Sequence, residues 1–194
     1  MTPVPRILAA AVTVLVTAAT LHATSVVPPT FTALVERAQV VFVGETVAVE
    51  SRWITTSAGP AIVTRVTYRV ERTIKGSLGA QTTLEFLGGT VGEARFEVSG
   101  VPKFRVGDKD VIFADERGRP VSPIVGVMHG RFRVLHDPAS GRESMARFNF
   151  QPFASISELD PSATPARVAS SRAMTLGGFA DEITKAARRL PAQR

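Results

Sequence analysis

AIVTRVTYRVERTI, residues 61–74, alternates apolar and polar side chains more regularly than any other part of this chain. An alternation with a period of two is typical of a β-strand that has one buried face and one solvated face. The apolar set comprises Ile62, Val66, Tyr68, Val70 and Ile74, and the polar set comprises Arg65, Thr67, Arg69, Glu71 and Thr73. The pattern predicts a strand with one side in a hydrophobic core.

A second long strand is predicted immediately upstream, at residues 39–53. It starts as a continuous apolar run at residues 40–43 and changes to alternation after Gly44. Glycine weakens a strand unless it allows a bulge or a bend. We therefore expect this strand to coil at Gly44 and to pair antiparallel with residues 61–74, so that the two form the spine of the fold.

Shorter strands follow, separated by turns that are rich in glycine. They are predicted at residues 81–87, 94–98, 111–113, 124–128, 131–136 and 144–148, with a turn at residues 88–92. Many short strands joined by such turns favour an antiparallel barrel or sandwich. The predicted fold is mainly β, an antiparallel OB-like closed barrel with a short N-terminal helix and a C-terminal helix.

The N-terminal helix is predicted at residues 30–38. Thr30 is placed as its N-cap, and Phe31, Leu34 and Val35 share one face. We expect this face to cover one opening of the barrel.

The C-terminal helix is predicted at residues 175–190, with Thr175 as its cap and apolar residues at helical spacing. Between residues 151 and 174 the composition shifts to Ser, Pro, Ala and Asp, which predicts a linker. We expect the helix to dock on the barrel.

The first residues carry the pattern of a secretory signal peptide. A positive charge precedes an uncharged apolar run at residues 7–21, and small residues follow. This run is shorter than the roughly 20 residues that cross a membrane. We expect residues 1–23 to be removed after Ala23, or alternatively after Ser25, which leaves a barrel domain at 24–150 in a secreted or periplasmic protein. An uncleaved membrane anchor is the alternative.

The composition limits the chemistry that is open to this protein. The chain of 194 residues has no cysteine, which excludes disulfides, thiolate catalysis and cysteine-ligated zinc. Its net charge of +6 comes from 23 basic and 17 acidic residues. The signs are mixed along the chain, and the charges of residues 103–110, including Asp108 and Asp110, are interpreted as a solvated surface. This mixing disfavours nucleic acid as a partner.

No arrangement of residues indicates catalysis, a cofactor or a metal. His129 and His136 have opposite strand parity, and no ligand spacing typical of zinc is present. The cluster of Gly88, Gly89 and Gly92 favours a β-turn over a phosphate-binding loop, because a strand follows it where such a loop needs a helix. We expect no catalytic, cofactor or metal site, and an unrecognised hydrolase is the alternative.

Four motifs also carry a family resemblance: FTALVERAQVVFVG at 31–44, YRVERTIKG at 68–76, GGTVG at 88–92 and VPKF at 101–104. Together they resemble a family of exported bacterial proteins of unknown function, and the GGTVG segment followed by G-x-P-x-F is the most specific part. The strand order is also similar to the OB-like barrels of netrin modules and tissue inhibitors of metalloproteinases. Those inhibitors chelate zinc through a disulfide-bonded N-terminal cysteine, which this chain lacks. The resemblance therefore implies only a protein-binding surface.

These observations favour an exported, non-enzymatic binding module, because loops on a stable scaffold carry function. Its partner is expected to be another exported protein, with a secreted protease as one candidate, and no cofactor or stable membrane insertion is expected. The predicted interaction residues are Arg52, Trp53, Ile54, Gly88, Gly89, Thr90, Val101, Pro102 and Phe104. The alternative is a binder of acidic polysaccharide, lipid head groups or nucleic acid through a basic face at Arg65, Arg69 and Arg72.

Overall fold

The structure, a computed structural model, describes residues 28–115, 121–164 and 168–190. The predicted signal peptide at residues 1–23 lies outside these residues, and none of the helices within them is long and apolar enough to span a membrane. The strands are β1 (Val40–Thr56), β2 (Gly59–Lys75), β3 (Gln81–Leu87), β4 (Gly89–Val91), β5 (Ala94–Phe96), β6 (Lys109–Ala114), β7 (Arg131–His136) and β8 (Glu143–Arg147). The helices are α1 (Phe31–Arg37), α2 (Leu176–Arg189) and the 3₁₀ helices Ile156–Leu159 and Ser170–Arg172.

Six of the strands form one antiparallel sheet in the order β3-β2-β1-β6-β7-β8, and β4 pairs with β5 separately. The prediction of a mainly β fold with a helix at each end is confirmed. The predicted closed barrel is not supported, because β3 and β8 are the two edges and no pairing joins them within the described residues. The outer edge of β8 is instead bridged by Pro152 and Thr175, which occupy the backbone groups that closure would need.

β1 and β2 form a long hairpin at the centre of this sheet. Their predicted antiparallel pairing is confirmed over almost the whole of both strands, with Val66 opposite Val49 and Tyr68 opposite Thr46. The pairing shifts between Val43 and Gly44, so an irregularity is present at this glycine as expected, but the extra residue is Glu71 on β2. After residue 45 β1 leaves β6 and continues with β2 alone, so the hairpin extends beyond the rest of the sheet.

One face of the sheet is covered by both α-helices. Thr30 caps α1 by accepting a hydrogen bond from Ala33 N, and Thr175 caps α2 by accepting one from Gly178 N, as predicted. Instead of closing a barrel opening, α1 lies on the sheet beside α2. Their shared core contains Phe31, Leu34, Val35, Phe113, Phe132, Phe153, Phe179 and Ile183, of which Phe153 comes from the segment predicted as a linker.

The opposite face of the sheet holds a second core. Its buried side chains are Phe42, Val66, Tyr68, Leu84, Phe86, Ile112, Ala114 and Ile124. Val101 and Phe104, from the connection between β5 and β6, pack over this core. Val66 and Tyr68 are fully buried, which confirms this part of the apolar face predicted for β2. Ile74, which was predicted on the same face, packs against the first core instead, because a bulge at Glu71 reverses the alternation.

Two local predictions are wrong. Residues 124–128 form a turn in which only Ile124 bridges β6, because Gly126 and Val127 both adopt positive φ and cannot continue a strand. Residues 89–91 form β4, and the turn that was expected at 88–92 lies at residues 92–93.

Candidate ligand-binding cleft

A cleft of about 750 Å³ opens where the second core meets solvent. One side is the inner face of the β1–β2 hairpin and the end of β3, and the other is the β4–β5 hairpin with residues 97–104. The segments that form it are separated in the sequence, so the sheet topology brings them together. Most of the predicted interaction residues line this cleft, namely Gly88, Gly89, Thr90, Val101, Pro102 and Phe104.

The floor of the cleft is apolar and aromatic. The ring centroids of Phe86 and Phe104 lie 4.6 Å apart. The Phe104 ring also packs edge to face against the Tyr68 ring, with 6.3 Å between the centroids. Val49 and Val101 extend the apolar lining, and Val98 stands at the side. Phe86 and Tyr68 are fully buried beneath Phe104, so the apolar surface open to a ligand is that of the partly exposed residues Val49, Val98, Val101 and Phe104.

The glycine pair of the GGTVG segment allows β4 to lie directly on the hairpin. Gly89 has φ of +148°, and an added Cβ would lie 2.5 Å from Ser51 Oγ and closer still to Thr64 Oγ1. Thr64 Oγ1 donates a hydrogen bond of 2.7 Å to Gly88 O, and Ser51 Oγ lies 2.9 Å from Thr64 Oγ1. The glycines therefore shape the wall of the cleft through close backbone approach.

Replacing Gly89 with alanine is expected to destabilise the protein by about 1–3 kcal/mol, because the new methyl group meets side chains and the backbone is strained. The matched control is Gly177→Ala in the first turn of α2, where an added Cβ meets nothing within 4 Å. That variant should gain roughly 0.5–1 kcal/mol from helix propensity. Urea unfolding of both variants measures the difference, and equal stabilities would show that β4 does not press on the hairpin.

Charged side chains stand at the rim of the cleft. Arg95 Nη2 and Lys103 Nζ lie 2.6 Å and 2.9 Å from the same oxygen, Glu97 Oε1. The hydrogen bonds from Arg95 and then from Lys103 lower the pKa of the Glu97 carboxyl to about 2. Glu97 is therefore ionised, and the rim carries one net positive charge.

A buried ion cluster lies behind the wall of the cleft. Asp110, which is fully buried, contacts both Arg131 Nη2 at 2.8 Å and Arg133 Nη1 at 3.1 Å. Asp108 contacts Arg131 Nη2 at 2.9 Å and Arg133 Nη2 at 2.6 Å. Burial raises the pKa of Asp110 to about 7, and the charge of Arg133 opposes this effect. The interpretation of Asp108 and Asp110 as solvated surface charges is therefore wrong.

Arg131 connects this cluster to the cleft. Its Nη1 donates a hydrogen bond of 2.7 Å to Lys103 O, and its guanidinium lies 4.3 Å from the centre of the Phe104 ring. The sequence did contain a signal for this arrangement, because Asp-x-Asp at the start of β6 and Arg-x-Arg in β7 place like charges two residues apart, on one face of an extended chain. Only the pairing of Asp110 opposite Arg133 shows that the two faces coincide.

The remaining predicted interaction residues are not part of the cleft lining. Arg52, Trp53 and Ile54 lie near the outer end of the β1–β2 hairpin. Arg52 pairs with Glu85 at 3.0 Å across the exposed face, and Trp53 is 52% exposed. The structure therefore separates them from the other two predicted segments.

The proposed basic face is interleaved with carboxylates. Arg65 lies opposite Glu50 on β1 and Glu85 on β3, and Arg69 forms an ion pair with Glu45. The bulge in β2 places Arg72 opposite Val43, which shares a face of β1 with Glu45, so Arg72 lies on the same face as Arg69. A polyanion would therefore meet alternating charges along this face, which is a weak electrostatic footprint.

The described residues contain no group of three or more histidine, aspartate or glutamate side chains that is suited to a metal ion. His129 packs its ring against Phe148 at 5.3 Å. No family model, curated protein or solved structure matches the chain, so the resemblance to exported proteins and to netrin-like barrels stays a prediction.

Proposed function

We propose that this protein is a non-enzymatic binding module that takes an apolar segment of another exported protein into the cleft. The observation that carries the proposal is an open cleft with an aromatic floor, lined by two of the three predicted interaction segments. Its volume of about 750 Å³ is within the range of roughly 300–1,000 Å³ that is usual for ligand sites.

The chemistry of the lining supports binding more than catalysis. No histidine is among the described residues that line the cleft, and two of its four hydroxyl side chains, Ser51 and Thr64, are engaged with each other and with Gly88 O. A nucleophile would need a base within hydrogen-bond reach. The apolar floor, by contrast, supplies about 1.5–3 kcal/mol for each large side chain that it buries.

The size of this hydrophobic contribution predicts a modest affinity. Two or three anchored side chains contribute about 3–9 kcal/mol, and association itself costs at least about 4 kcal/mol through lost freedom of motion. The net free energy of at most about 5 kcal/mol corresponds to a dissociation constant no tighter than about 0.1 mM from the apolar contacts alone. The partner segment is therefore expected to place more than one apolar residue along the cleft.

The proposal is tested by selecting peptides from a displayed random library on the protein produced from the full chain. Val98→Trp, which fills the cleft, should weaken the selected peptides by at least about tenfold, a loss of roughly 1.4 kcal/mol. Phe96→Ala, which removes an exposed cleft side chain without adding bulk, should weaken them by a smaller factor.

Val106→Trp is the matched control, since Val106 is 65% exposed and does not line the cleft. Thermal unfolding followed by circular dichroism verifies that each variant is folded. The proposal is wrong if no peptide is enriched, or if Val98→Trp and Val106→Trp bind the selected peptides equally well.

A further inference from the structure

We propose that the cleft selects a carboxylate next to an apolar side chain in the partner polypeptide, and that Arg95 and Lys103 bind this carboxylate in the place that Glu97 now occupies. The inference rests on the proposed function, because it names the chemistry of the segment that enters the cleft. It concerns an acidic side chain of a polypeptide partner, because the group to be replaced, Glu97, is itself a side-chain carboxylate next to the apolar Val98.

The geometry places both cations on one acceptor. Arg95 and Lys103 converge on the same oxygen of Glu97, at 2.6 Å and 2.9 Å. All three groups belong to the cleft lining, and Glu97 directly precedes Val98 at the cleft wall. A carboxylate held at this position would have its neighbouring side chain within reach of the aromatic floor.

Replacing the Glu97 carboxylate with a carboxylate of the ligand costs the protein little stability. The side chains of Arg95, Glu97 and Lys103 are 62%, 55% and 82% exposed, and ion pairs at such exposure contribute little to stability. Glu97 can therefore turn into solvent without a large loss. Once it does, the rim presents two positive charges to the ligand, and a guanidinium is well shaped for a carboxylate.

The charges at the rim of the cleft disfavour a positively charged group in the ligand. Glu97 is the only carboxylate among the described residues that line the cleft, and two cations already neutralise it. An ammonium group of a ligand would have to compete with both of them. Charge complementarity therefore points to an anionic group next to the apolar anchor.

The test uses three synthetic peptides that share an apolar Leu-Phe pair in a Gly/Ser background. The first ends in Leu-Phe with a free carboxylate, the second has the same sequence with an amidated end, and the third is amidated but carries an aspartate beside the Leu-Phe pair. Binding is followed on the isotope-labelled protein through the amide resonances of Gly88 and Gly100. We expect the aspartate peptide to bind about five- to tenfold more tightly than the neutral one, in keeping with one exposed charge pair.

Glu97→Gln supplies a readout that a merely structural role would not give. It should strengthen the preferred carboxylate peptide by about fivefold and leave the neutral peptide unchanged, because it removes the competing carboxylate. Lys103→Gln should weaken only the carboxylate peptides. Glu93→Gln is the matched control, since Glu93 is an exposed glutamate of the same hairpin outside the cleft lining.

The outcomes separate this inference from the proposed function. If all three peptides bind equally well and Val98→Trp abolishes their binding, the carboxylate preference is overturned and the proposed binding module stands. A lack of binding by all three peptides overturns the carboxylate preference, and the displayed library then decides the proposed function independently. Tight binding of the free-terminus peptide without tight binding of the aspartate peptide would overturn the acidic side chain as the ligand and indicate a chain end instead.

Discussion

Replacing Leu34 with aspartate is expected to leave the protein unfolded at room temperature. Leu34 is 2% exposed and lies in the core that α1 shares with α2 and the sheet. Loss of the buried side chain costs about 2–5 kcal/mol, and the introduced carboxylate adds several kcal/mol because it has no ionic partner in an apolar environment. The sum approaches the whole stability of an ordinary domain, which is about 5–15 kcal/mol.

Far-ultraviolet circular dichroism and urea unfolding measure this effect. The matched control is Thr32→Asp on the same helix, since Thr32 is exposed and an acidic residue in the first turn is favourable to the helix dipole. The control should remain folded with a stability close to that of the unaltered protein. A cooperative transition of Leu34→Asp at the same urea concentration as the control would show that α1 is not part of the core.

Replacing Arg131 with methionine is expected to destabilise the protein by about 3–5 kcal/mol, the usual cost of removing one partner from a buried ion pair. Methionine keeps most of the side-chain volume, so the loss reports on charge more than on packing. Asp108 and Asp110 would then share Arg133 alone, and Lys103 O would lose its hydrogen-bond donor. The wall of the cleft should loosen as well, so peptide binding should also weaken.

The loss of stability in Arg131→Met is also expected to depend on pH. Burial already raises the folded-state pKa of Asp110 to about 7, whereas an unfolded aspartate titrates near about 4. A group whose pKa is raised by folding contributes its full stability at pH values below the pKa of the unfolded state. This stability is lost as the pH rises through the pKa of the folded state. Removing the cation of Arg131 raises the pKa of Asp110 further. The difference in stability between the unaltered protein and Arg131→Met should therefore be larger at pH 8 than at pH 5.

Urea unfolding at both pH values measures this gap. The comparison variant is Arg52→Met, which breaks an ion pair whose side chains are 54% and 43% exposed. It should cost less than about 1 kcal/mol at either pH. A cost for Arg131→Met that is no larger than that of Arg52→Met would show that the cluster does not support the fold.

Much of the local structure could be predicted from the sequence. The capping threonines Thr30 and Thr175 and the alternation that buries Val66 and Tyr68 depend on neighbours within a few residues, and these predictions are confirmed. The segments 88–90 and 101–104 were also singled out, as loops of the scaffold that carry the motifs of the family resemblance. Their meeting in one cleft was not predicted, because it depends on how separate parts of the chain cross.

The sequence by itself therefore determined the helices, the central hairpin and the buried face of β2, since hydrophobic periodicity and capping are short-range properties. Only the tertiary structure decided that the sheet stays open and that Asp108 and Asp110 are enclosed with Arg131 and Arg133. Closure depends on which backbone edges are already occupied, and the state of a charge depends on burial by residues far away in the sequence. Both are properties of long-range packing, which a pattern of neighbouring residues does not contain.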